Sequence, residues 1–70
     1  MMPLTMMKYG EEYSIKKVGG KEDTKKYLES LGFVNGSHVK MVAVMNGNVI
    51  VNIKESRIAI SKEMANKIMV

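Results

Sequence analysis

Seventy residues, 46% hydrophobic and 26% charged, describe one globular domain of ordinary composition, too short to wall off a deep two-lobed cleft and keep a core as well. The absence of cysteine excludes disulfides, thiolate zinc sites, iron–sulfur clusters and cysteine nucleophiles. Eleven basic residues against seven acidic ones leave a net charge of +4, which favours an acidic protein, an anionic membrane or nucleic acid without choosing among them. Ten of the eleven are lysines, and lysine is poorly suited to bidentate phosphate or base recognition, which lowers the nucleic-acid reading.

The elements follow in chain order. Met1 to Lys8 is apolar and predicts an extended arm with Leu4 and Met7 inward, ended by a turn at Gly10. It lacks a basic leader and is too short for a signal sequence. With no run of about 18 apolar residues to cross a bilayer, the expectation is a cytoplasmic protein. Glu12 to Val18 alternates Tyr13 and Ile15 with Ser14 and Lys16, the period of a half-buried strand, and Gly19-Gly20 breaks it. Glu22 to Leu31 predicts a helix. Glu22 and Asp23 suit the positive end of its dipole, and Tyr27, Leu28 and Leu31 form an apolar stripe while Lys25, Lys26 and Glu29 face water. Gly32 falls where a left-handed cap is needed, and Phe33 follows, placed to fold back on Leu28.

Beyond the Asn35-Gly36 turn, Ser37 to Met45 predicts a strand with Val39, Met41, Ala43 and Met45 on one face. Asn46-Gly47 is the signal of a type I′ hairpin. Asn48 to Ile53 returns with Val49, Val51 and Ile53 inward, Lys54-Glu55 turns again, and Ser56 to Ile60 puts Ile58 and Ile60 on one face. Ser61 can cap a single helical turn over Lys62 to Lys67, before a closing strand at Ile68 to Val70. The result is a mainly β chain of about five strands, with a helix after the first strand and one helical turn before the last. Closure into a barrel removes edges that would otherwise pair with other chains, and the late helical turn is a feature of SH3-like barrels.

No catalytic or metal constellation stands out. His38 is the only histidine, and a metal site needs three or four donors. The eight methionines, four of them clustered at Met1, Met2, Met6 and Met7 and two, Met41 and Met45, on one strand face, read as core filler ahead of a soft-metal site. The carboxylates are adjacent or scattered, and Gly19-Gly20 is not followed by a phosphate-loop lysine. No cofactor is expected. Tyr9 and Tyr13 beside Lys8, Lys16 and Lys17 are a thin version of a base-stacking surface.

The landmarks Leu4-x-x-Met7-x-x-Gly10, Ile15 and Val18, the stretch Tyr27-Leu28-Glu29-Ser30-Leu31-Gly32-Phe33-Val34-Asn35-Gly36, then Val49-x-Val51, Ile58-Ala59-Ile60 and Ala65 with Ile68 resemble the ferrous iron transport protein A (FeoA-like) family. The signature positions are Leu28, Leu31, Gly32 and Gly36. Members of that family often carry a longer loop before the third strand, and Asn46-Gly47 replaces it here with a tight turn. The resemblance implies an SH3-like barrel that serves, without enzymatic activity or iron binding of its own, as a cytoplasmic accessory of a FeoB-type membrane GTPase transporter for ferrous iron. On this reading the contact surface includes Lys25, Lys26 and Glu29 of the helix with Lys16 and Lys17 nearby. The rivals are a small basic nucleic-acid-binding barrel and, more weakly, a transition-metal sensor using His38 and the methionines. Exposed strand edges also leave room for self-association.

Overall fold

The computed structural model describes residues 1–70. Six strands run in the order β1 (Glu12–Ser14), β2 (Lys17–Val18), β3 (His38–Met45), β4 (Asn48–Ile53), β5 (Ser56–Ser61) and β6 (Ile68–Met69), with helix α1 (Glu22–Ser30) after β2 and the four-residue α2 (Lys62–Ala65) before β6. They make two antiparallel sheets, one of order β1-β3-β4-β5 and one pairing β2 with β6. Thirteen buried residues, every one apolar, form a single cluster between them.

The expected strand from Glu12 to Val18 is two strands, each in a different sheet. Ile15, fully buried, sits at the crossing. Its N–H donates to the Ser37 carbonyl and its carbonyl accepts from Gly36 N–H, both at 2.8 Å, while Lys16 N–H turns to the Met69 carbonyl at 2.7 Å. A barrel this small has to bend one strand from wall to wall. The buried side chain and the satisfied backbone at Ile15 set where that bend falls.

Helix α1 ends as its sequence predicts. Leu31 is the C-cap and Gly32 follows at φ +105°. Gly32 N–H donates to the Glu29 carbonyl and Phe33 N–H to the Leu28 carbonyl, each at 3.0 Å, the bond pair of a Schellman motif. Phe33 and Leu28 are both fully buried. The expected stripe needs correcting. Tyr27 is 51% exposed, whereas Thr24 and Lys25 are half-buried and Leu31 packs on the core. Thr24, Leu28 and Leu31 recur at i, i+4 and i+7, so the inward face rotates away from Tyr27 and takes Lys25 partly out of water.

The N-terminal arm is not extended throughout. Met2 exchanges backbone bonds with Val70 at 2.9 and 2.8 Å and Pro3 bridges Met69, after which Leu4–Met6 form a 3₁₀ turn with Leu4 fully buried. The Thr5 hydroxyl bonds the Asn66 side chain, tying this turn to the end of α2. At the start of α2, Ser61 Oγ accepts the Met64 N–H at 3.1 Å, the expected cap.

In β3 the register shifts between Met41 and Ala43, a bulge at Val42. Val39 and Met41 are buried as expected, but past the bulge Ala43 pairs with Ile50 and Val44 pairs with core-facing Val49. Ala43 and Met45 therefore lie on the outward face, a correction to the single face expected for β3. The turn itself is as predicted, with Asn46 at φ +52° and Gly47 at φ +80°, both left-handed as type I′ demands.

Replacing Gly32 by alanine forces a Cβ into the left-handed region and is expected to cost about 1–2 kcal/mol. Leu28→Ala, which empties the centre of the helix contact, is expected to cost about 2–5 kcal/mol. Urea unfolding followed by circular dichroism reads both. A core of this size supplies only about 3–5 kcal/mol in all, so Leu28→Ala should remove most of it and shift the urea midpoint far below that of the parent.

Candidate partner-binding surface

With every buried side chain apolar and no buried polar side-chain atom lacking a partner, the chemistry of the molecule lies on its outside. No group of three or more histidine or acidic residues converges as a metal cage would require. His38 Nδ1 lies 3.7 Å from Glu12 Oε1, with the two side chains 64% and 66% exposed. The contact carries charge only when the imidazole is protonated, and water screens it.

The outward face of the four-stranded sheet is ordered by register. Glu12 pairs with Lys40, Lys40 with Asn52 and Asn52 with Arg57, so one row crosses all four strands. Arg57 Nε donates to Asn52 Oδ1 at 3.0 Å. Beside this row a depression of about 430 Å³ is lined by Glu12, Ser37, His38, Lys40, Asn52 and Lys54, all polar. Lys54 stands at φ +53° in the tight turn after β4, which swings its side chain to this rim. One step along the strands, Ala43, Ile50 and Ala59 form a parallel row that is apolar.

The residues predicted for partner contact lie elsewhere. Lys16 and Lys17 are exposed where the chain crosses between sheets, and Lys17 borders a depression of about 200 Å³ with Met1, Gly19, Asn66, Lys67 and Met69. Lys26 and Glu29 are exposed on α1, while Lys25 is half-buried. Helix α1 packs against β2, which places both groups on the same side of the fold. Of the signature residues, Leu28 and Leu31 serve the core, Gly32 the helix cap, and Gly36, at φ +91°, the turn that binds Ile15; Asn46 and Gly47 make the hairpin turn. The row of Lys40, Asn52, Lys54 and Arg57 was not among the expected contact residues. Counting back from the Asn46-Gly47 turn as in a regular hairpin puts Lys40 opposite Ile53, which conceals the row; the bulge at Val42 moves Lys40 opposite Asn52 and creates it.

Tyr13 adds one polar contact on the β1 edge. Its oxygen accepts the Lys8 N–H at 3.2 Å, and its hydroxyl donates to Glu11 Oε2 at 2.9 Å. The Lys8 amide pulls the pKa down, but desolvation, the bond to Glu11 and that carboxylate's charge together outweigh it and hold the phenol above 10.0. A raised folded value favours the neutral phenol. Its contribution to stability is thus complete below the unfolded pKa and lost as pH rises through the folded one.

What these features define is an SH3-like barrel whose functional surface is its exterior. The family profile of the FeoA domain matches residues 2–70. Over 70 residues, all of this chain and 85% of the other, it is 41% identical to a protein assigned as Fe(2+) transport protein A in Methanocaldococcus jannaschii. The chain belongs to the FeoA domain family, whose members are small accessory domains of ferrous iron transport. Its fold is similar to a crystal structure of FeoA described as an iron uptake regulatory protein, with a TM-score of 0.85 at 25% identity over 96% of this chain and 89% of that one. It is equally similar to the Stenotrophomonas maltophilia FeoA crystallised with zinc and described as a prokaryotic SH3 domain protein, with a TM-score of 0.84 at 23% identity over 99% and 88% of the two chains.

Glu11→Gln removes the acceptor's charge and should lower the pKa of Tyr13 in a titration followed by ultraviolet absorbance. An unchanged titration in the variant would contradict the assignment.

Proposed function

We propose that this chain is a non-enzymatic cytoplasmic accessory of ferrous iron uptake that binds a FeoB-type membrane GTPase transporter and regulates it. The observation that carries this reading is the family match over residues 2–70 on a fold that puts every polar side chain at the surface. A scaffold of this kind acts by presenting a surface to a larger partner. No helix is long and apolar enough to cross a membrane. Lys16, Lys17, Lys25, Lys26 and Glu29 form the charged rim we assign to the encounter. Exposed rim charges govern association rate and specificity more than affinity.

The test is binding of the full chain to the detergent-solubilised transporter from the same genome, with GTP hydrolysis measured in parallel. A complex is expected at low ionic strength and should weaken as salt rises, since screening sets in over about 10 Å at 0.1 M. Lys17→Glu with Lys26→Glu should slow association while changing dissociation little. Two folded proteins that fail to associate at low salt would remove the reading.

A further inference from the structure

We infer that the outward face of β3, β4 and β5 is a docking surface for an acidic segment of a partner protein, one that carries an apolar side chain next to its carboxylates. This inference deepens the reading above and depends on it only for the partner's identity.

The face has two halves. The basic half holds Lys40, Lys54 and Arg57, none of which makes an ion pair; the one ion pair of the molecule is His38 with Glu12. Two acids border it: Glu12, the cross-strand partner of Lys40 on β1, which forms its ion pair with His38, and Glu55 at the tip of the turn. Arg57 is the only arginine in the chain. Its Nε is occupied by Asn52 Oδ1, so the guanidinium is held in place while its two terminal amino groups stay unbonded. That is the geometry for receiving a carboxylate through two parallel bonds.

The apolar half is the row Ala43, Ile50 and Ala59, with Met45, 61% exposed, two residues beyond Ala43 and opposite Asn48. Ile50 is half-buried, yet it is neither in the core cluster nor packed against it. The two rows lie two residues apart on β4 and β5, about 7 Å, and three apart on β3, where the bulge takes up the extra residue. A partner fits if its carboxylate and its apolar anchor have that spacing, as they do two residues apart in an extended segment or one turn apart on a helix.

Charge complementarity favours this face over α1. Around the helix, Lys21, Lys25 and Lys26 alternate with Glu22, Asp23 and Glu29, and opposite charges three and four residues apart neutralise each other's field. Helix rim charges steer an approaching partner. The sheet face combines unpaired cations with apolar ground, the combination that holds one.

The experiment titrates the isotope-labelled full chain with a short synthetic peptide of Leu-Ser-Glu-Ser repeats, which sets leucine and glutamate two residues apart on one face of an extended segment, and with its glutamine counterpart, following amide shifts by NMR. Acidic peptide is expected to move the amides of Lys40, Ile50, Asn52 and Arg57 and to bind on the order of tenfold more tightly than the glutamine peptide. Arg57→Glu and Lys54→Glu should each weaken it by about tenfold, with thermal unfolding unchanged. Both side chains are exposed, so neither substitution disturbs the core. Shifts confined to α1, or charge variants that bind as the parent does, overturn the inference. Tighter binding of anionic phospholipid vesicles or single-stranded DNA to the same amides overturns the assignment of its occupant. If the transporter binds and the sheet variants bind it equally, this face is wrong and the partner reading stands. A peptide that docks here beside a transporter that does not bind supports the face and removes that partner.

Discussion

The bend at Ile15 carries one extended segment directly from the four-stranded sheet to the β2-β6 pair, and the rest of the barrel depends on it. The residue is fully buried and both its backbone groups bond to the Gly36-Ser37 turn. The strand is therefore held to β3 on one side of this point and to β6 on the other. That turn follows directly from the capped end of α1, so the helix, the crossover and the start of β3 are one connected device. The Schellman bonds at Gly32 and Phe33 aim the chain into it, and burial of Phe33 beside Leu28 holds the aim.

Closing a barrel with so few residues uses all the available apolar volume. The thirteen core residues include no polar side chain, because an uncompensated polar group in so small an interior would cancel much of the stability it has. The same constraint leaves no interior cavity for a ligand, and the depressions are lined from the surface inward by polar or mixed residues. A domain built this way acts through what it displays.

What it displays is unevenly distributed. The helix surface interleaves charges of both signs, while the sheet surface separates a cationic row from an apolar one. The separation is a product of register: each residue of the row faces its neighbours because antiparallel pairing places Cα partners on the same side of the sheet. The bulge at Val42 is decisive here. In a regular hairpin Lys40 would stand opposite Ile53, a core residue. The extra residue moves it opposite Asn52, outside the core and into line with Arg57.

Local chemistry was sufficient for most of the elements. The acids opening α1, Gly32 closing it, Asn46-Gly47 in the hairpin and Ser61 at α2 are short-range devices whose energetics involve neighbours a few residues away, and each appears where its residue type demands. Family membership was legible too, since its landmarks are these caps, turns and core positions in order. Three matters were decided only by packing. The strand from Glu12 splits because two walls compete for it, and nothing in its alternation marks the bend. The inward face of α1 takes Thr24 and Lys25 in place of Tyr27 because the contact direction is set by the sheet beneath. The cationic row on β3, β4 and β5 exists only through long-range register, with a bulge that no periodicity announces. Side-chain pattern determines which residues avoid water, whereas the neighbours each exposed residue acquires are settled when the strands pair.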